Sequence, residues 1–227
     1  IVDGAGGATE LLDASGVQVV GDYAYVASFD DDGFQIIDIS DPTNPVGLGE
    51  ITDGASGATE LAGAYGLAVQ GNYAYVTASV DDGFQIIDIS DPTNPVGLGE
   101  LTDGGAGGAT ELDGANGIAV QGNYAYVASD SDNGVQIIDI SDPTNPRGVG
   151  AITDGASGAT GLEGASGISI QGKYAYVTSY VDNALQIIDI SDPTTPVGLG
   201  EITDGAGGAT ELAGAIGITV VGNYAYI

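Results

Sequence analysis

A unit of about 50 residues recurs along the chain, and this repeat restricts the possible folds more than any other feature. Tyr-Ala-Tyr starts at Tyr23, Tyr73, Tyr124, Tyr174 and Tyr224, at intervals of 50, 51, 50 and 50 residues. The sequence around each copy is nearly unchanged. So long a period exceeds most helical solenoid repeats and fits a propeller blade with an elongated connector.

Within one unit the local signals are those of four strands. Residues 67–70 form a short apolar run that a Gly71-Asn72 turn joins to residues 73–79. Asp82-Gly83 is a hairpin signal, because a tight hairpin needs positive φ at its centre. Residues 84–89 supply a third strand, which Asp91-Pro92-Thr93-Asn94-Pro95 must end, since proline cannot donate to a ladder. Residues 96–102 supply the fourth, and a Gly/Ala-rich connector follows. Phe84-Gln85-Ile86-Ile87-Asp88-Ile89 is apolar on both faces, as expected of sheets stacked on both sides. Tyr73 and Tyr75 share a face, where their rings fill the wedge between neighbouring blades. The expected fold is all-β, a β-propeller of four-stranded antiparallel blades. The period sets one array of four blades at 15–64, 65–115, 116–165 and 166–215, with partial elements at 1–14 and 216–227. Residues 1–3 read as the tail of a fourth strand, and 218–227 as a first strand and part of a second. That count leaves a blade open, to be completed by further blades of the same chain or by other copies of it.

Composition then removes whole classes of chemistry. The 227 residues carry 32 Asp and Glu against two basic residues, Arg147 and Lys173, for a net charge of −30. Without His or Cys there is no Cys/His zinc site, thiol nucleophile, disulfide or Ser-His-Asp triad. So acidic a surface repels phosphate backbones, which excludes nucleic acid as a partner. No apolar run reaches the roughly 18–20 residues that would make a transmembrane segment. Acidity with so few lysines suits an extracellular or cell-surface setting in a saline environment.

Three segments, Phe34-Gln35-Ile36-Ile37-Asp38, Val135-Gln136-Ile137-Ile138-Asp139 and Leu185-Gln186-Ile187-Ile188-Asp189, each run into Ser-Asp-Pro. They resemble the LVIVD repeat, and the resemblance covers practically the whole chain. It implies a β-propeller of the kind found in bacterial and archaeal secreted or surface proteins, with no general catalytic role. The long connector, as between Thr102 and Asn116, departs from the usual pattern.

The second-to-third-strand hairpins and the connectors carry most of the variation and much of the charge. Asp30, Asp31, Asp32, Asp81, Asp82, Asp130, Asp132, Asn133, Asp182 and Asn183 lie in the hairpins, with Glu10, Glu60, Glu111 and Glu211 beside them. Such oxygen-rich loops suit Ca²⁺, which takes six to eight hard ligands. Asp130-Ser131-Asp132-Asn133-Gly134 resembles the opening of a calcium loop, although Ser141 stands where its bidentate Glu would be. The alternative is that these residues simply make turns. Asp38, Asp88, Asp139 and Asp189 read as turn residues whose side-chain oxygens hold local amides.

One connector position just before the first strand varies between units: Ser15, Tyr65, Asn116, Ser166, Ile216. With Phe29, Asp130 and Tyr180 it could form a shallow site for a glycan or a surface protein. An enzyme of the glycoside-hydrolase kind needs two differently tuned carboxylates, yet the four short inner strands contain no acid and the blades are almost copies. The sequence therefore points first to a non-enzymatic structural or adhesive scaffold, then to a glycan- or protein-binding module, and last to an enzyme.

Overall fold

The computed structural model describes all 227 residues, and every regular element in it is a β-strand. The first blade comprises β1 (Ala14–Val20), β2 (Tyr23–Ser28), β3 (Gly33–Asp38) and β4 (Val46–Thr52). The second comprises β5 (Ala64–Gln70), β6 (Tyr73–Ala78), β7 (Gly83–Asp88) and β8 (Val96–Thr102). The third holds β9 (Ala115–Gln121), β10 (Tyr124–Ser129), β11 (Gly134–Asp139) and β12 (Arg147–Thr153). The fourth holds β13 (Ala165–Gln171), β14 (Tyr174–Ser179), β15 (Ala184–Asp189) and β16 (Val197–Thr203). Each is a four-stranded antiparallel meander in chain order, and β17 (Thr219–Val221) pairs with β18 (Tyr224–Tyr226) in a two-stranded sheet. These are β-propeller blades, as the repeat implied.

The first strands begin three residues earlier than their apolar runs. A β-bulge explains the difference: the register of β1 on β2 shifts between Ala14 and Gly16, and β5, β9 and β13 are interrupted alike. A bulge adds an unpaired residue and breaks the period-2 pattern by which a strand is recognised. Ser15, Tyr65, Asn116 and Ser166 thus lie inside strands, not in the connector. Residues 1–3, expected as the end of a strand, form no strand. The counterparts of Ile1 and Val2, Ile51 and Thr52, are strand because β4 has β3 to pair with, Phe34 opposite Ile51.

By packing, the chain divides into two units: Ile1–Thr102 with Asp142–Asn145, and Asp103–Ser141 with Pro146–Ile227. In the first, Tyr25, Phe34, Ile36 and Ile51 of one blade share a core with Ala74, Val76, Ile87 and Ile89 of the next. Leu61, from the connector, closes that core. The Tyr25 ring stacks on Phe34 with centroids 6.1 Å apart, and Tyr75 on Phe84 at 6.2 Å. The second tyrosine of each Tyr-Ala-Tyr is thus the core member here, and the first is only half-buried. Each of these large side chains contributes about 1.5–3 kcal/mol by leaving water. In the second unit Tyr126, Val135, Ile137 and Ile152 pack in the same way with Ala175, Val177, Ile188 and Ile190, closed by Leu162.

Candidate functional site

The hairpin acids sit against the connectors, and their oxygens face backbone amides. Asp31 Oδ2 accepts the Leu12 N–H at 2.6 Å, and Asp81 Oδ2 the Ala62 N–H at 2.7 Å. Asp132 and Asp182 do the same for Asp113 and Glu163, each at 2.8 Å. The next residue in each hairpin is left-handed, with φ between 51° and 55° at Asp32, Asp82, Asn133 and Asn183. Asp and Asn tolerate that conformation better than most residues, because a short polar side chain can bond locally. Asp32 Oδ1 reaches forward to the Gly63 N–H, Asn133 Oδ1 to that of Gly164 and Asn183 Oδ1 to that of Gly214, each at 2.8 Å. One residue thus latches a hairpin to its own connector, and the next latches it to the connector of the following blade.

Eight of the ten residues read as oxygen donors for calcium accordingly accept hydrogen bonds from the protein's own loops. Asp130 Oδ1 accepts the Ser131 hydroxyl at 3.1 Å, and Asp30 is exposed on its hairpin. No three acidic side chains gather where they could share a metal ion. At the other end of the third strands, Asp38, Asp88, Asp139 and Asp189 each accept the amide two residues on, from Ser40, Ser90, Ser141 and Ser191, at 2.8–2.9 Å. These bonds hold the Asp38 and Asp189 carboxyls below their ordinary range.

The variable positions are divided between the two units. Ser15, Phe29 and Tyr65 belong to the first unit, and Asn116, Ser166, Tyr180 and Ile216 to the second. The Ser15 hydroxyl donates to the Ala64 carbonyl at 2.8 Å, so it joins neighbouring blades. Asn116 and Ser166 are buried, Phe29 is half-buried, and Tyr65, Tyr180 and Ile216 are exposed. The Tyr180 hydroxyl lies 3.5 Å from Asp130 Oδ2, and that negative charge raises its pKa.

Sequence reasoning missed a buried glutamine in every blade. Gln35, Gln85, Gln136 and Gln186 are at most 1% exposed. Oε1 accepts the amide of Thr9, Thr59, Thr110 or Thr160 at 2.9–3.0 Å. Nε2 donates to the carbonyl of Gly49, Gly99, Gly150 or Gly200 at 2.8–3.1 Å. Each glutamine therefore clamps the connector to the fourth strand. The available signal was one polar residue repeated inside an apolar strand.

Beside these clamps stand the connector glutamates. Burial, then the charges of Asp31, Glu50 and Asp3, raises the Glu10 pKa to about 7. Burial, then Asp81, Glu100 and Asp53, raises Glu60 to about 7 as well. Glu111 is also raised, by burial, Asp132 and Asp103, against a bond from Thr110. A neutral carboxyl of this kind can act as a general acid. Here raised connector glutamates recur in three successive blades, and Gly161 takes that position in the fourth.

Blades of this topology, with the repeated Gln-Ile-Ile-Asp strand and its Asp-Ser turn, define a β-propeller repeat protein. The LVIVD repeat model matches residues 13–53, 63–103, 114–154, 164–204 and 214–227, and the chain belongs to the LVIVD repeat family. No curated protein matches the chain. Among solved structures it is similar to a functionally unknown protein from Desulfotomaculum acetoxidans, at 15% identity and a TM-score of 0.65, over 92% of this chain and 60% of that one. It is also similar to the periplasmic gluconolactonase of Pseudomonas aeruginosa, at 15% identity and a TM-score of 0.62, over 83% and 53%. Hydrazine synthase from Kuenenia stuttgartiensis matches at 18% identity and a TM-score of 0.62, over 88% and 52%. At these identities the likeness is one of fold alone. The chain spans 52–60% of the length of these three structures. No helix is long and apolar enough to cross a membrane.

Proposed function

We propose that the chain is a non-enzymatic extracellular scaffold, a structural or adhesive body of near-identical acidic blades that associates with other copies or with further blades of the same repeat. The observation that carries this reading is how the polar groups are used. Hairpin carboxylates and buried glutamines serve the chain's own amides in blade after blade, and no buried side-chain nitrogen or oxygen lacks a partner. A catalytic site needs residues that differ between blades and face a substrate, whereas here the repeated polar side chains close loops. Exposed apolar side chains, Val17 and Val19 on β1 and Tyr224 and Tyr226 on β18, offer contact surface. Net charge opposes such contact, so salt and divalent cations favour it by screening. Light scattering across a NaCl and Ca²⁺ series, with imaging of the native material, tests the reading. Ordered assemblies that grow with ionic strength support it. A particle that stays monomeric in all conditions, or turnover of glycosides, phosphate esters or peptides lost on changing one carboxylate, contradicts it.

A second reading, a glycan- or protein-binding module, draws on exposed Tyr180 beside Asp130, an aromatic face with an acceptor next to it. A glycan array separates the two readings, since a scaffold gives no selective signal that Tyr180→Ala removes.

A further inference from the structure

In the second unit one groove occurs twice, filled in one place and open in the other. Between the third and fourth blades, Tyr126, Val135 and Ile137 are 3%, 1% and 0% exposed, and they share a core with Ala175, Ile188 and Ile190 of the fourth blade. On the other face of the fourth blade the same positions are Tyr176, Leu185 and Ile187, and there Tyr176 and Ile187 are only half-buried. They line a groove of about 720 Å³ together with Val220 and Ala225 of the β17–β18 hairpin. That hairpin sits on the fourth blade as β13 and β14 sit on the third. Gln171 Nε2 donates to the Gly222 carbonyl at 2.9 Å, and Gln121 Nε2 to that of Gly172 at 2.8 Å. The difference between the two grooves is a third strand: β15 lies beside β14, and no strand lies on the outer side of β18.

We propose that this groove and the outer edge of β18 dock an extended third strand of the same repeat, of the pattern apolar-Gln-Ile-Ile-Asp-Ile, presented by a second chain that carries the repeat. The inference rests on the scaffold reading and names the surface and the segment by which such a body associates. Strand addition supplies ladder bonds along the edge, and the groove selects alternate side chains. The register follows from the fourth blade, where Ala175 stands opposite Ile188 and Tyr174 opposite Asp189. Their equivalents on β18 are Ala225 and Tyr224, so an incoming strand sets its Ile188 position opposite Ala225, which lines the groove. Its Ile190 position, two residues on, enters the same groove, and its Ile187 position points away. Val221 and Tyr224 close a two-residue turn, so their ladder bonds face each other and the next amide, that of Ala225, faces the open side. Lys173, one of two basic residues in a chain with 32 acidic ones, also lines the groove. A strand that carries Asp finds a counter-charge there.

NMR and amide exchange on the whole chain test the proposal, with the capped peptide Ala-Leu-Gln-Ile-Ile-Asp-Ile-Ser, residues 184–191, as the probe. Saturating peptide is expected to slow exchange of the Ala225 amide roughly tenfold and to shift the ring signals of Tyr176. Peptides with Ile188→Asp or Ile190→Asp bind roughly tenfold more weakly, because a charge then enters the groove, whereas Ile187→Asp is tolerated. Ala225→Pro in the chain, a change at a sheet edge that leaves the β17 bonds in place, removes the Ala225 amide and weakens binding as much. The proposal is overturned if the native peptide leaves Ala225 and Tyr176 unchanged or if the three substituted peptides bind alike. A groove already filled by another copy, which the peptide cannot displace, overturns it too. Assembly in salt without peptide binding sinks this inference alone. Peptide binding by a chain that stays monomeric in every salt upholds the docking site and contradicts the scaffold reading.

Discussion

Replacing Gln85 by Ala removes at once the acceptor of the Thr59 amide and the donor to the Gly99 carbonyl, both at about 3 Å. Burial denies those two backbone groups water, so the expected loss is about 2–4 kcal/mol, read as a lower midpoint in urea unfolding. Asn133 is a different case. Asn133→Ala loses the acceptor of the Gly164 amide and places a β-carbon in a left-handed residue at φ 55°, an expected cost of about 1–3 kcal/mol. Asn133→Gly keeps the backbone and loses only the latch, so it falls between Ala and the native residue in the same measurement. The Asn133 turn was legible, because Asn-Gly between apolar runs has a local mechanism. Gln85 was not: its partners lie 26 and 14 residues away, and no local pattern announces a distance of that kind.

At the scale of elements, the bulge in each first strand was the least legible feature. Ala115-Asn116-Gly117 reads as loop because its residues are small or polar, and its strand pairing depends on β10, in which Ser129 faces Ala115. The bulge also sets how near two blades come within the second unit. A Cβ added to Gly117 would collide with the Ser166 carbonyl oxygen of the next blade, which is backbone and cannot swing away. Gly117→Ala is therefore expected to destabilise by about 1–3 kcal/mol through overpacking, seen as a lower melting midpoint. Unchanged melting would mean that the blades pack less closely. The third and fourth strands, by contrast, were placed to within a residue. Proline punctuation and the Asp-Gly hairpin fix both of their ends locally.

For the whole molecule, charge sets the dependence on solution conditions. Repulsion among 32 acidic side chains is screened over about 10 Å at 0.1 M salt, so NaCl is expected to raise the melting midpoint. The pH dependence has two limbs. Glu10 and Glu60 bind protons more tightly when folded, so their contribution is full below 4.5 and is lost as pH rises to about 7. Asp38, Asp41, Asp91, Asp189 and Asp192 are held low, so theirs is present above 3.8 and fades in stronger acid. A melting series should peak on the acid side of neutrality, whereas a midpoint rising steadily from pH 5 to 8 would contradict the glutamate assignment. The central claim is that hairpin acids and buried glutamines are ligands for the chain's own connector amides. Amide exchange at Ala62, Gly63, Asp113 and Gly164, in chelator and in millimolar Ca²⁺, tests it most directly. Strong protection in chelator, unchanged by Ca²⁺, is the expected result; loop-like exchange in chelator that slows only when Ca²⁺ is added would contradict it.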